Sequence, residues 1–109
     1  MAQRKELIKS NIDSLLLCVV EVKPMYGYEI IRELKRRSQG YFEFKEGTLY
    51  PALHRLEKGG LVDGKWELTN GRRRRYYHIT ARGQIRLEDE RHKWLGFLKA
   101  MNLIIQPAQ

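Results

Sequence analysis

Four consecutive arginines form the densest positive charge in this sequence, directly after the dipeptide Asn70-Gly71. The run comprises Arg72, Arg73, Arg74 and Arg75. A guanidinium group donates two parallel hydrogen bonds to a phosphate, so clustered arginines are typical of surfaces that bind nucleic acid. The alternative is a solvated turn, although four adjacent like charges repel one another and solubility does not require clustering. We predict that this cluster binds phosphates.

A second set of polar residues lies on one side of a helix predicted over residues 46–58. The apolar side of this helix covers about one third of its circumference at ~100° per residue, and it consists of Leu49, Ala52, Leu53 and Leu56. The side chains that we predict to contact DNA lie opposite or on the flank: Thr48, Tyr50, His54, Arg55 and Lys58. The alternative for Tyr50 is a half-buried ring that packs on a hairpin. His54 is a solvated or phosphate-facing side chain rather than a catalytic base or metal ligand.

Residues with catalytic potential are scattered. His54, His78 and His92 have no metal-ligand spacing, and no glycine pattern of a nucleotide-binding loop occurs. Cys18 is the only cysteine; it lies in an apolar run with no basic partner nearby in sequence, so we expect it to be buried and unreactive. A redox-sensing role for this thiol is the alternative. We predict that the protein is not an enzyme and has no catalytic residues, metal or cofactor.

The overall charge agrees with a polyanionic partner. The 109 residues carry a net charge of +8, and seven of these eight charges lie in residues 31–83. The longest apolar run, residues 15–20, is far shorter than the ~18 residues of a membrane span, and no secretory segment follows the charged N-terminus. A lone cysteine suits a reducing compartment. We therefore expect a cytoplasmic, single-domain protein that does not interact with membranes.

Apolar periodicity and breaker residues predict four helices and one hairpin. Helices are expected over residues 5–22, 27–38, 46–58 and 81–105. We expect Pro51 in the first turn of the third helix, and Thr80 as the N-cap of the last. Strand-like residues flank Asn70-Gly71, a dipeptide that favours a type I′ hairpin turn. The arginine cluster therefore begins at a hairpin tip and continues into the returning strand.

This order of elements predicts a mainly α fold with a two-stranded β wing. It is the order of a winged helix-turn-helix, in which the third helix enters the major groove and the hairpin contacts the backbone beside it. We assign residues 1–80 to this DNA-binding domain, whose first helix also contributes to a dimer interface. Residues 81–109 form a C-terminal dimerisation helix.

The last predicted helix carries an apolar stripe that a small winged-helix core cannot cover. Its members are Trp94, Phe97, Leu98, Met101, Ile104 and Ile105. An exposed apolar stripe marks a partner surface, and a second copy is the commonest partner. A dimer would hold two reading helices about 34 Å apart, which matches a palindromic operator. The alternative is a helix that folds back onto its own domain.

Several motifs resemble those of PadR-type transcriptional regulators. The string EGTLYPALHRLE at residues 46–57, followed by Gly60-Leu61-Val62, is similar to the signature helix of that family. The strings YGYEI at residues 26–30 and GRR at residues 71–73, with Tyr76-Tyr77, also match. The resemblance covers nearly the whole chain. Because the chain ends after one C-terminal helix, it resembles the short subfamily, which includes a multidrug-sensing repressor of lactic-acid bacteria.

The resemblance implies a bacterial repressor that dimerises through its first and last helices. In the drug-sensing relative a tryptophan of the last helix stacks on flat aromatic ligands at the dimer interface, and Trp94 matches it. The other residues that the resemblance implies for this cavity are Leu98 and, on the first helix, Leu7, Ser10, Ser14 and Cys18. Leu7 also joins the implied dimer interface. The alternative for Trp94 is an aromatic residue of the dimer core without a ligand.

We therefore predict a homodimeric regulator that binds double-stranded DNA at a palindromic operator, represses transcription, and is released by a small aromatic effector. A sequence-indifferent nucleic-acid-binding module without an effector fits the basic centre equally well. A third alternative is an interaction module that uses the winged fold without nucleic acid.

Overall fold

The computed structural model describes residues 2–107, and it describes the side chains of residues 11–107. Seven elements follow one another: α1 (Ala2–Val22), β1 (Met25–Tyr26), α2 (Gly27–Arg37), α3 (Glu46–Lys58), β2 (Val62–Thr69), β3 (Arg72–Ile79) and α4 (Ala81–Ile105). The predicted order of four helices and one hairpin is therefore correct. α3 and α4 have the predicted bounds, whereas α1 begins and α2 ends slightly earlier than predicted.

The sheet contains one strand more than the predicted two-stranded wing. Its order is β1-β3-β2, and both pairings are antiparallel. The wing itself is the β2–β3 hairpin, in which Thr69 pairs with Arg72 across the tip. Asn70 and Gly71 both have positive φ, 52° and 76°, as a type I′ turn requires. β1 joins the far side of β3 and links the wing to the start of α2.

Pro51 does not lie in the first turn of α3, contrary to the sequence-based expectation. The amides of Thr48 and Leu49 both donate to the carbonyl of Lys45 at 3.0 Å, so the helix already begins at Glu46. Pro51 is therefore in the second turn, where its ring removes the hydrogen bond to the carbonyl of Gly47. Gly47 and Pro51 are both exposed, so water can reach the carbonyl of Gly47.

The core lies where α1, α2, α3 and the wing meet. Fully buried side chains come from α1 (Leu16, Leu17), α2 (Ile30) and α3 (Leu49, Leu53). α4 begins at the predicted cap, because Thr80 Oγ accepts the amide of Gly83 at 3.0 Å. Leu87 is buried in this core, and α4 then continues away from it. Among residues 2–107, no helix combines the length and the apolar character that crossing a bilayer requires.

Candidate nucleic-acid interface

α3 presents a polar arc to solvent. Its apolar side is buried in the core, as predicted, and Thr48, His54 and Lys58 are exposed. At ~100° per residue, His54 and Lys58 lie near the centre of the outward arc, and Thr48 lies on the flank nearer to α1. The exposure of these three side chains leaves α3 accessible to the major groove.

Tyr50 is half-buried and packs on the start of α2. A Cβ atom at Gly27 would overlap the phenol ring of Tyr50, so these two elements approach closely only because residue 27 is glycine. Burial, followed by the charge of Glu46, raises the pKa of the Tyr50 hydroxyl. The alternative of a half-buried ring fits this position: the ring packs against Gly27 of α2, and the Tyr50 hydroxyl also interacts with Tyr77 of the hairpin.

Arg55 is exposed and forms an ion pair with α1. Its Nη2 atom lies 3.1 Å from Oδ1 of Asp13. This contact draws the guanidinium toward the side of α3 that faces α1. Arg55 therefore differs from His54 and Lys58, which lie on the outward arc.

The four arginines of β3 alternate between the two faces of the wing, because successive side chains of a strand point in opposite directions. Arg73 and Arg75 share one face, where they pair with Leu68 and Trp66 of β2. Arg72 and Arg74 lie on the other face. The predicted cluster is thus divided into two pairs that have different surroundings.

Arg75 ties the wing to α3. Its Nη2 atom lies 2.5 Å from Oε2 of Glu57, and the same carboxylate oxygen accepts the amide of Gly64 at 3.1 Å. The guanidinium lies directly over Gly64, where a Cβ atom would leave no space for it. Arg75 therefore holds the wing at a defined position relative to α3.

Arg74 packs against aromatic residues on the face of the wing that is opposite to Arg75. Its guanidinium lies 4.3 Å from the centre of the Tyr26 ring, which contacts Tyr76 edge-on at 5.5 Å. A cation over an aromatic face is attracted by the ring quadrupole. Arg74 and Arg75 are half-buried and engaged within the protein, whereas Arg72 and Arg73 are exposed.

Two exposed apolar residues of the wing were not recognised from the sequence. Trp66 and Leu68 remain 57% and 76% exposed, on the same face as Arg73. Tyr28 and Arg32 were also missed; they form an exposed cation–π pair on α2, with 5.5 Å between the guanidinium and the ring centre. Alternation along β2 was the available signal for their proximity, because it places Trp66 and Leu68 on one face of the strand.

The apolar stripe of α4 is exposed over the C-terminal half of the helix. The alternative of a helix that folds back onto its own domain does not occur: Leu98 is 53% and Ile104 is 83% exposed. Phe97, Met101 and Ile105 are exposed as well. Trp94 is half-buried, and Phe97 contacts its ring edge-on at 5.6 Å. The winged domain leaves this half of the helix without a covering surface.

The residues implied for an effector cavity are only partly brought together. Ser14 Oγ of α1 donates to Oε2 of Glu90 at 3.5 Å. Glu90 lies one helical turn before Trp94 on α4. Cys18 lines a 240 Å³ cleft between α1 and α2 and also interacts with Arg91. Leu7 and Ser10 lie outside the residues whose side chains the structure describes.

The expected burial of Cys18 is wrong. Cys18 is half-buried; it lines the open cleft between α1 and α2 and interacts with Arg91 of α4. Arg91 also donates to Oε1 of Glu21 at 2.7 Å, and this hydrogen bond raises the pKa of Arg91. The described residues contain no group of three or more His, Cys, Asp or Glu that could hold a metal ion.

Three helices followed by a β wing define a winged-helix protein, and the exposed basic residues of α3 and the wing lie where such proteins contact DNA. Comparison with known proteins identifies the family. Residues 16–89 match the transcriptional regulator PadR-like family. The chain therefore belongs to this family of DNA-binding transcriptional regulators, which are not enzymes. The resemblance and the fold class predicted from the sequence are confirmed.

Similar proteins come from several bacteria. The chain is 32% identical over 104 residues to the uncharacterized protein X of Lysinibacillus sphaericus, covering 94% of this chain and 95% of that one. A PadR-like transcriptional regulator from Bacillus cereus has a TM-score of 0.84 at 28% identity, with 94% of this chain and 99% of that chain covered. A PadR family regulator from Clostridium difficile has a TM-score of 0.77 at 36% identity, with 88% and 99% covered.

Proposed function

We propose that this regulator acts in the cytoplasm as a homodimeric repressor that binds a palindromic operator. Residues 1–80 form the DNA-binding domain, and residues 81–109 serve dimerisation together with α1. The observation that carries this proposal is the separation of two surfaces. α3 and the wing carry exposed basic side chains, among them Lys58, Arg72 and Arg73, whereas the exposed apolar stripe lies on the projecting half of α4.

DNA contact requires side chains that are exposed and free of intramolecular ion pairs. Thr48, His54 and Lys58 meet this requirement on α3 and would enter the major groove. Arg72 and Arg73 meet it on the wing and would bind phosphates. The other residues predicted to contact DNA are half-buried or form an ion pair within the chain, and we assign them a positioning role: Tyr50, Arg55, Arg74 and Arg75.

A second copy is the proposed cover for α4. The 25 residues of α4 span about 37 Å at 1.5 Å per residue, and its apolar side chains continue to Ile105. Burial of such a stripe against its own symmetry mate is favoured by about 25 cal/mol per Å² of apolar surface. The proposed interface consists of Trp94, Phe97, Leu98, Met101, Ile104 and Ile105, with Leu7 from α1.

A small aromatic effector between the two Trp94 rings is the regulatory part of the proposal. The half-buried Trp94 ring, with Phe97 at its edge, offers a stacking surface. Leu98 would line the same cavity with Leu7, Ser10, Ser14 and Cys18. The effector must bind the DNA-incompetent spacing of the dimer more tightly than the competent one, because equal affinity shifts nothing. Acridine should quench Trp94 fluorescence in a Trp66→Phe background. An unchanged emission would contradict effector binding and would leave the proposals on DNA binding and dimerisation unaffected.

The test of DNA binding is selection from random duplexes with a variable core of about 20 base pairs, enough for two half-sites one turn apart. We expect enrichment of a palindrome that binds about 10³-fold or more tightly than random DNA. Addition of the protein should then lower transcription from a promoter that overlaps this sequence. Equal affinity for all duplexes would favour the sequence-indifferent module instead.

A further inference from the structure

Two neighbouring residues of α4 contact α1 at two separate points. Arg91 donates to Glu21 twice, from Nη2 to Oε1 at 2.7 Å and from Nη1 to Oε2 at 3.5 Å. Glu90 accepts a hydrogen bond from Ser14 Oγ at 3.5 Å. Ser14 and Glu21 lie two helical turns apart on α1, a distance of about 10 Å. These four residues, here called the α1–α4 clamp, join the projecting helix to the winged domain.

The clamp fixes an angle that the apolar core leaves free. Leu87, one turn before the clamp on α4, is fully buried and anchors the helix on the winged domain. Apolar contact is non-directional, so this anchor alone permits α4 to rotate about it. A guanidinium that donates two hydrogen bonds to one carboxylate has a defined orientation. The direction in which α4 leaves the domain therefore depends on Arg91 and Glu21.

The ion pair of the clamp is stronger than an ordinary surface pair. The side chains of Arg91 and Glu21 are only 34% and 32% exposed, and attraction between charges increases as water is excluded. Glu88, which lies on α4 itself and is exposed, accepts a further hydrogen bond from Nη1 of Arg91 at 2.7 Å. This second carboxylate orients the guanidinium before it meets Glu21.

Beyond the clamp, α4 is a long arm without support from its own domain. Every described residue after Trp94 is exposed. The helix continues to Ile105, about 27 Å beyond Leu87. A rotation of about 10° at Leu87 displaces the end of this arm by about 5 Å, which exceeds the rise of one base pair, about 3.4 Å. A small change of angle at the clamp is therefore as large as the step between two alternative half-site spacings.

We propose that the α1–α4 clamp sets the spacing of the two half-sites that the homodimer binds. With each winged domain seated on one half-site, the two copies of α4 meet only at the spacing that their angle allows. Glu21 and Arg91 are positioning residues, because they act through α4 and not on DNA. This inference rests on the proposed homodimeric DNA binding and names the residues that select among operators.

The test measures affinity against half-site spacing. The duplexes are inverted repeats of the half-site that the wild-type full-length protein enriches, with spacings varied in single base pairs around one turn, about 10 base pairs. The wild type should bind one spacing about tenfold more tightly than its neighbours. Glu21→Lys places two cations opposite each other and should bind all spacings with nearly equal affinity. Its affinity for a single half-site should equal that of the wild type, because α3 and the wing are unchanged.

Three variants complete the design. Glu88→Gln is the matched control, because it removes the partner of Arg91 within α4, keeps an acceptor oxygen and leaves the contact with α1; it should retain the wild-type preference. Arg91→Glu in the Glu21→Lys chain restores opposite charges between the two helices and should restore most of the preference. Glu21→Gln replaces Glu21→Lys if circular dichroism shows that the latter is unfolded.

A distance measurement tests the clamp without DNA. Gly47 of α3 is exposed and nothing lies within 4 Å of its Cβ position, so Gly47→Cys can carry a nitroxide label. Cys18→Ser removes the native thiol in every chain that is compared. Pulsed electron spin resonance should give one narrow distance between the two labels of a dimer with an intact clamp. Glu21→Lys should broaden this distribution.

The outcomes separate two failures. A spacing preference, or a narrow label distance, that Glu21→Lys leaves unchanged overturns the clamp and leaves DNA binding intact. A loss of preference in Glu88→Gln as large as in Glu21→Lys also overturns it, because Arg91 would then act within α4 alone. A monomeric Glu21→Lys in sedimentation equilibrium overturns it as well, because the ion pair would then hold the dimer together instead of setting its angle. A wild-type protein that enriches no duplex contradicts the proposed function itself.

Discussion

Arg75 Nη2 lies 2.5 Å from Oε2 of Glu57, so the fourth arginine of the cluster belongs to the joint between the wing and α3. The same carboxylate accepts the Gly64 amide, so one side chain receives hydrogen bonds from both strands of the hairpin. The angle between the wing and α3, the two elements that we propose to contact DNA, therefore depends on this charged contact.

Removal of this ion pair should destabilise the protein. Arg75→Gln leaves the Glu57 carboxylate without its charged donor, and we expect the free energy of unfolding to fall by about 1–2 kcal/mol. Chemical denaturation followed by circular dichroism measures this change. Arg72→Gln is the matched control, because Arg72 is exposed at the tip of the wing. Equal stabilities of the two variants would contradict the claim that the Arg75–Glu57 ion pair stabilises the contact between the wing and α3.

The salt dependence of DNA binding should distinguish the arginines that lie next to one another in sequence. Arg72→Gln and Arg73→Gln should each reduce the slope of log K against log salt by about 0.9 for every phosphate that the variant no longer binds. Arg75→Gln should weaken binding while leaving the slope nearly unchanged, because its guanidinium is bound to Glu57. Titration at several salt concentrations tests this, and a slope reduction in Arg75→Gln as large as in Arg73→Gln would contradict it.

The division of the arginines shows what was predictable from the sequence. Asn70-Gly71 identifies the hairpin tip, and strand alternation then separates Arg73 from Arg72. The role of Arg75 depends on Glu57, which lies 18 residues earlier on another element, so it requires the packing angle between α3 and the wing. Local patterns contain no information about that angle.

Element boundaries were predictable where the chain carries strong local signals. α3 ends at Lys58 because Gly59-Gly60 follows, and α4 begins after Thr80 because its hydroxyl caps the helix. The start of α3 at residue 46 was also predicted correctly, but the placement of Pro51 in its first turn was wrong, because the sixth residue of a helix lies in the second turn. The half-burial of Cys18 was also missed, because it depends on the open cleft between α1 and α2, which is a feature of tertiary packing.

The close approach of α2 and α3 predicts a strong effect of a small substitution. Gly27→Ala places a methyl group where the Tyr50 ring lies, and we expect a decrease of about 1–3 kcal/mol in the free energy of unfolding. Tyr50→Leu in the same chain should recover part of this decrease by vacating the space. Gly47→Ala is the control, because nothing lies within 4 Å of its Cβ position. Thermal melting compares the variants, and equal effects at both glycines would disprove the contact.

Acid should destabilise α2, because protonation of Glu33 removes the charge that pairs with Arg36 and Arg37. Hydrogen bonds from Arg36, then from Arg37, lower the pKa of the Glu33 carboxyl from 4.5 to about 2. Because the folded-state pKa lies below the unfolded one, the ionised carboxylate favours folding above about pH 4.5, and this contribution is lost as the pH falls toward 2. The melting temperatures of the wild type and Glu33→Gln should therefore converge between about pH 6 and pH 2. Gln84→Ala, which removes no titratable group, should show a constant difference from the wild type.

The exposed stripe of α4 leads to a prediction about assembly. Leu98→Glu places a charge within the proposed interface, and burial of an unpaired charge strongly opposes association. Sedimentation equilibrium should show a dimer for the wild type and a monomer for this variant. Lys99→Glu is the matched control, because it introduces the same carboxylate at the neighbouring position, about 100° around the helix. A variant that remains dimeric with glutamate at position 98 would exclude that part of the stripe from the interface. If the wild type itself is monomeric, two reading helices cannot be held one DNA turn apart, and the palindromic operator loses its structural basis.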